Sequence, residues 1–356
     1  MTRKPAWENK PFWIRFFHWE YWNFHVIYLP IYPVWLYYSI RAGSFFFFAA
    51  SNPSIRYGGF LSESKKDIHD LIPALWRARS LFFSVPAEPG NVLREILEAG
   101  MNFPLIGKPD FGGKGRGVKK LENIGDLLSY AGGSLIDFHI QEYIQYPRET
   151  GIFYCRMPGS KKGQITGVVE KKFLTVVGDG EKSILRLLKE NPRAVLQLKK
   201  LEPGLSAQWA TVPAAGEEVV ISPYGNHARG ALFLDETKTV SPALEIAIDG
   251  ICREIPDFYF GRLDIKYQSR ELLEEKKSFC IVEVNGAGSE PTHIYDPRHS
   301  LFFAWKEIIR HLDYLYRISR ENHRRGHPYL SMGEGLNMFK KDRADSALLS
   351  KMEKRI

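Results

Sequence analysis

Apolar and polar positions along this chain fall into blocks short enough to read as separate elements. Phe45–Ala50 is a continuous apolar run ahead of Ser51, Asn52 and Pro53, and predicts a buried strand ending in a loop. Ser62 or Ser64 predicts the cap of a helix that runs to about Ile72 and stops at Pro73. Leu81–Val85 predicts a second strand and Val92–Ala99 a short helix closed by Gly100. This strand–helix alternation predicts an α/β layer with parallel strands. Further strands are expected at Phe103–Lys108, Ile140–Ile144 and Thr166–Val177, followed by a turn at Gly178–Gly180 and a helix from Ser183. Ser241 and Pro242 open a helix whose Leu244, Ile248, Ile251 and Ile255 share one face. Phe258–Tyr267 and Ser278–Asn285 predict two strands joined by a charged hairpin tip, Ser269–Lys277, and Leu301–Ile318 a final amphipathic helix. The last ~35 residues are polar and basic and predict a loosely held tail.

A length of 356 residues suits about two domains. With 44% apolar and 25% charged residues, the composition is globular and excludes collagen-like, coiled-coil and wholly disordered chains. Cys155, Cys252 and Cys280 are odd in number and match no zinc spacing, which predicts reduced core thiols. The net charge of +8 lies at the two ends, +3 in residues 1–44 and +5 in residues 317–356. A neutral middle argues against a nucleic-acid groove, which places a basic stripe on a folded face.

Residues 1–48 hold 18 aromatic side chains, among them Trp7, Trp13, Trp19, Trp22 and Trp35. Phe24–Ile40 approaches the ~17–25 residues of a spanning helix. However, Pro30 and Pro33 interrupt it, and its Trp and Tyr prefer headgroup depth. Arg15 and Glu20 break any signal-peptide core. Three readings stay open: attachment to an anionic membrane surface aided by Arg3, Lys4, Lys10, Arg15 and Arg41, a true span, or a cap packed on the body.

Two groups of residues carry candidate chemistry. In Pro109–Val118, Gly112, Gly113, Gly115 and Gly117 surround Lys114 and Arg116, giving free amides and two cations suited to phosphate oxygens. The spacing is neither a Walker A nor a dinucleotide fingerprint, and a flexible hairpin tip is the plainer alternative. On the strand pair near the C-terminal third, Asp264, Glu283 and Asn285 would gather on one face with Arg262. Three hard oxygen donors with open positions suit Mg²⁺, and a cation there would stabilise a transferred phosphoryl.

The ordered set KPDFGGKGRGV, QEYI, GRLDIK and EVN resembles the ATP-grasp superfamily, with echoes of D-alanine–D-alanine ligases, cyanophycin synthetases and ribosomal-protein glutamate ligases. KKFLTVVGDGEKSI and GNHARGA add to the likeness, which covers roughly residues 60–316. It implies an α+β fold in which two subdomains grip ATP. The divisions expected are 1–44 an aromatic, basic segment, 45–100 a short α/β domain, 101–318 the ATP-grasp domain, and 319–356 the tail. By position, the resemblance implies that Lys65 (or Lys66), Lys108 and the loop residues Gly112, Gly113, Lys114, Gly115, Arg116 and Gly117 contact the ATP phosphates. Gln141, Glu142, Tyr143 and Ile144 would read adenine and Glu149 the ribose. Asp264, Glu283 and Asn285 would hold one or two Mg²⁺, with Mn²⁺ as an alternative, and Arg262, Arg229 and His227 would act at the reacting centre. The implied reaction joins an unknown carboxylate to an unknown amine through an acyl phosphate, releasing ADP and phosphate. A phosphoryl-transfer enzyme and a non-catalytic ATP-binding module in envelope or cell-surface polymer assembly remain alternatives. The expected setting is cytoplasmic, peripheral at the inner face of the membrane.

Overall fold

A computed structural model describes residues 10–61, 63–113, 115–199, 201 and 208–356. Eleven strands are found among the described residues. They are β1 (Ser80–Phe83), β2 (Leu105–Pro109), β3 (Lys119–Leu121), β4 (Phe138–Glu142), β5 (Arg148–Cys155), β6 (Gln164–Lys172), β7 (Leu174–Val177), β8 (Glu218–Ser222), β9 (Leu232–Asp235), β10 (Phe260–Tyr267) and β11 (Phe279–Asn285). They form a four-stranded sheet ordered β1-β4-β2-β3, a five-stranded sheet ordered β11-β10-β5-β6-β9 and the ribbon β7-β8. The α+β class is therefore as expected, and every ladder between these strands is antiparallel.

The parallel layer expected near residue 80 does not form, because β4 inserts beside β1 and runs against it. Nor is Phe45–Ala50 a strand: Phe47–Ala50 is a turn of 3₁₀ helix, and Phe46, Phe47 and Phe48 are all buried. A strand would send alternate side chains to opposite faces, and an apolar run without periodicity cannot distinguish the two. Thr166–Val177 divides at Phe173 between β6 and β7, which belong to different sheets.

Alternation along the strands creates the cleft walls. On β10, Leu263, Ile265 and Tyr267 enter the core beneath the Pro242–Glu254 helix, leaving Arg262, Asp264 and Lys266 on the opposite face. On β2 and β4, Leu105, Phe138 and Ile140 enter the core of the four-stranded sheet, leaving Ile106, Lys108, His139 and Gln141 on the other side. Hydroxyl and amide caps start the helices: Ser64, Asn123, Ser241 and Ser300 each accept a backbone N–H of the first turn.

The described segments near both chain ends pack on this frame. Trp305 donates to the Ile27 carbonyl at 2.9 Å and Tyr38 to Asp313 at 2.9 Å, seating the N-terminal segment on the Leu301–Arg324 helix. No helix among the described residues is long and apolar enough to cross a membrane. The loosely held tail is corrected: Met332–Met352 is a helix opened by a capping box of Ser331 and Glu334. Its Met338 enters the core under the five-stranded sheet, and Leu349 and Met352 enter that of the four-stranded sheet. Its overall polarity concealed these few apolar anchors. The three cysteines are buried and unpaired.

Candidate active site

The cleft face of the five-stranded sheet carries a chain of buried charges. Lys171 on β6 donates to Glu149 on β5 at 2.9 Å and pairs with Asp264 on β10 at 3.1 Å. Arg262 closes the chain on Asp264 at 2.9 Å. Burial opposes the charge on Lys171, but Asp264 and Glu149 outweigh it and raise its pKa. Burial likewise opposes the Asp264 carboxylate, which Arg262 and Lys171 nevertheless hold below its usual range. Gly151 leaves room for this contact, since a Cβ there would stand 3.1 Å from Asp264 Oδ1 and 2.9 Å from Val169.

Asp264 pairs across the ladder with Glu283, and Arg262 with Asn285, so the four expected residues do share one face. The Glu283 carboxylate makes no hydrogen bond or ion pair among the described residues. Asn285 Nδ2 is buried without a partner. No three His, Cys, Asp or Glu side chains among the described residues are grouped as a metal site by themselves. Mg²⁺ commonly takes one or two protein donors and completes its shell with substrate phosphates and water. Glu283 and Asn285, beside a committed Asp264, fit that mode of binding.

Opposite them stands Lys108 of β2, only 8% exposed. No hydrogen bond or ion pair among the described residues satisfies its ammonium, and burial pushes its pKa down to about 8 against the pull of Glu283. The glycine loop that follows is anchored at its root by Asp110. That carboxylate accepts from Ser64, from the Lys66 amide and from His139, at 3.1, 2.8 and 2.9 Å. It thereby ties the loop to the N-terminus of the Lys65–Leu71 helix, and Lys65 Nζ donates to the Gly112 carbonyl at 2.5 Å. Lys114 lies outside the described residues. Gly112, Gly115 and Gly117 have φ of 105, 70 and 68°, which a side chain would strain.

The other expected residues divide. Gln141, Glu142, Tyr143, Ile144 and Glu149 line the same cleft of about 1120 Å³ as Lys65, Lys108 and Gly112. Gln141 Nε2 is buried and unpartnered, whereas Glu142 is held by Arg79 at 2.7 Å. Arg116 also lines it, yet its guanidinium is committed to Glu353. Arg229 lines neither cleft; it donates to the Gly115 and Val118 carbonyls and lies over Tyr224, bracing the loop. His227 lines neither major cleft. It stacks on Tyr21, meets Phe233 edge-on and Tyr295 at a tilt, and burial drives its pKa down to about 3. The position of a motif in the chain says nothing of which way its side chains turn.

Residues absent from the expectation complete the cleft. Lys120 and Lys266 lie over the Tyr143 ring, 4.7 and 4.8 Å from its centre, and Lys266 donates to the Ile144 carbonyl at 3.1 Å. The period of two on β10 already placed Lys266 with Arg262 and Asp264; Lys171 left no comparable signal.

A second cleft of about 1150 Å³ shares Lys65, Lys108, Gly112, Gly113, Val282 and Glu283 with the first and extends to Arg262, Asn285, Glu63 and Glu290. Burial pushes the Glu63 carboxyl upward, against the pull of Lys65. Glu290 Oε1 accepts from Tyr28 at 2.8 Å and Tyr295 at 2.9 Å, and its carbonyl accepts from Arg262.

No family model and no curated protein matches the sequence. Among solved structures, the chain is similar to a bifunctional glutathione synthetase from Pasteurella multocida, at 16% identity over 69% of this chain and 36% of that one, with a TM-score of 0.38. It is also similar to the VanG D-Ala:D-Ser ligase from Enterococcus faecalis, at 15% identity over 71% and 61% of the two chains and a TM-score of 0.41. A third is the D-alanine–D-alanine ligase from Bacillus anthracis, at 12% identity over 74% and 69%, with a TM-score of 0.40. The chain thus spans less than two thirds of the first two.

The depressed Lys108 gives the site a pH signature. The free protein loses that proton near pH 8, while a bound polyanion retains it, so binding takes up a proton above that pH. Tripolyphosphate affinity measured by calorimetry is expected to fall by up to about tenfold per pH unit above pH 8. Lys108→Met should bind weakly with a flatter profile; an unchanged wild-type affinity up to pH 9.5 would contradict the assignment.

Proposed function

We propose that the first cleft takes ATP, the second an acceptor carboxylate and amine, and that the chain is an ATP-dependent carboxylate–amine ligase of the ATP-grasp kind. The observation that carries this reading is the meeting of the two clefts at the ammonium of Lys108 and the carboxylate of Glu283, neither of which has a partner among the described residues. A polyanionic and an acceptor substrate would meet along that shared wall.

In this reading Lys65, Lys108 and the glycine-loop amides hold the phosphates, while Gln141, Tyr143 and Ile144 flank the base and Glu149 lies towards the ribose. Glu283 and Asn285, with Asp264, would hold Mg²⁺ or Mn²⁺, which when bound neutralises charge across the phosphate oxygens. A carboxylate oxygen attacks the terminal phosphorus and ADP leaves with the bridging oxygen's electron pair. Arg262, oriented by Asp264, faces this transfer from the second cleft and stabilises the charge that develops. The amine nitrogen then attacks the acyl carbon, phosphate departs with the C–O electron pair, and the amine releases a proton. Both steps need positioning and charge rather than a side-chain nucleophile, in keeping with three buried cysteines.

We also propose that the chain works against an anionic membrane surface on the cytoplasmic side. Phe12, Phe16, Leu36 and Ile40 are 68, 59, 53 and 73% exposed. Lys10, Arg15 and Arg41 are exposed beside them. Glu20, the sole acid in residues 10–44, is turned inward onto Arg193 at 2.8 Å. The exposed side of residues 10–44 consequently carries no acid, which suits an interfacial segment.

Incubated with MgATP, a panel of carboxylates and hydroxylamine, the wild type is expected to yield ADP together with acyl hydroxamate. Glu283→Gln should lose at least about 10²-fold of that rate. A phosphorylated hydroxyl product without hydroxamate would instead assign phosphoryl transfer. In flotation with phosphatidylglycerol–phosphatidylcholine vesicles, the wild type should rise and a Phe12→Ser/Leu36→Ser/Ile40→Ser variant should not; equal flotation of both would refute the surface.

A further inference from the structure

The glycine loop is held from outside the cleft by the far end of the chain. Arg116 Nε and Nη2 donate to Glu353 Oε2 at 3.1 and 2.8 Å. Its Nη1 donates to Ser346 at 3.0 Å and Nη2 to Ser350 at 2.8 Å. Four of the five guanidinium N–H groups are thus engaged by the Met332–Met352 helix or the residue after it, so the side chain is turned mainly to that helix rather than into the cleft. Leu349 presses on the same loop: a Cβ on Gly112 or Gly117 would stand 2.7 or 3.0 Å from its methyl carbons. Lys341 lies over Phe111 at 3.8 Å, at the loop's root.

The helix is anchored at both ends. Near its start, Gly335 lies against the Phe46 ring, where a Cβ would stand at 2.2 Å, and Met338 is fully buried with the N-terminal aromatics. Near its end, Leu349 and Met352 are buried in the core of the four-stranded sheet. At 1.5 Å per residue, its 21 residues span roughly 30 Å from one cleft wall to the other.

We infer that Arg116 is a positioning residue, and that the Met332–Met352 helix is a strap that holds the glycine loop in its phosphate-binding shape before nucleotide arrives. A loop rich in glycine loses much backbone freedom when it closes on a ligand. A loop already tethered by Arg116, Leu349, Lys65 and Arg229 loses less, so the tether shows as nucleotide affinity. This inference rests on the ATP reading of the first cleft.

A charge swap separates a strut from a phosphate ligand. Arg116→Glu and Glu353→Arg are each expected to weaken MgATP binding about fivefold to tenfold, a change of about 1–1.4 kcal/mol. Arg116→Glu/Glu353→Arg should restore it to within about twofold. Thermal unfolding monitors that each variant stays folded. If Arg116 binds phosphate directly, Glu353→Arg alone leaves affinity unchanged or improved and the double variant stays weak, which overturns the inference. In nucleotide-free protein, amide hydrogen exchange over residues 111–118 should quicken in each single variant and slow again in the double. That readout needs no ATP: unaltered exchange refutes the strap, whereas restored exchange without any MgATP binding refutes only the ATP reading.

Discussion

A lysine enclosed between two carboxylates sets the order of the larger sheet. Lys171 on β6 reaches Glu149 on the neighbouring β5 and, past that strand, Asp264 on β10, at 2.9 and 3.1 Å. Removing one member of such a buried group costs about 3–5 kcal/mol, because a charge is left behind without water or partner. The register of β5, β6 and β10 is thus held by charge as well as by backbone hydrogen bonds. A slip of one residue would send Arg262, Asp264 and Lys266 into the core and Leu263, Ile265 and Tyr267 into the cleft. The cleft exists because that slip is so unfavourable.

The opposing wall is poorer in pairing. Lys108 is largely buried and, like Glu283, forms no side-chain hydrogen bond or ion pair among the described residues, and both line the two clefts. Both ends of the chain keep these walls in place. Tyr28 reaches from the aromatic segment to Glu290 at the second cleft, and Leu349 and Met352 reach from the last helix to the four-stranded sheet. The described terminal segments thus pack onto residues that line or support the two clefts.

The legible portion of the sequence was the part governed by strict periodicity. Alternation on GRLDIK and FCIVEVN placed Arg262, Asp264, Glu283 and Asn285 on one face, and the structure pairs them directly across the ladder. The glycine spacing likewise marked a loop, in which the structure gives Gly112, Gly115 and Gly117 left-handed backbone. Side-chain direction outside regular strands was not legible. His227, two residues from Arg229 in one motif, turned into an aromatic stack, while Arg229 turned towards the loop. Phe45–Ala50 failed as a strand because a buried 3₁₀ turn presents the same unbroken apolar run. The final helix was hidden by its polar majority, and only its contacts with Phe46 and the distant sheet explain its order.

The most direct test of the account is a calorimetric titration of ATP, with and without Mg²⁺, into the wild type and into Glu283→Ala/Asn285→Ala. The account predicts binding to the wild type that strengthens with Mg²⁺, and a double variant that remains folded but has lost the metal-dependent part. Equal Mg²⁺-dependent binding by both proteins, or none by a folded wild type, would contradict a nucleotide seated between Lys108 and the β10–β11 pair.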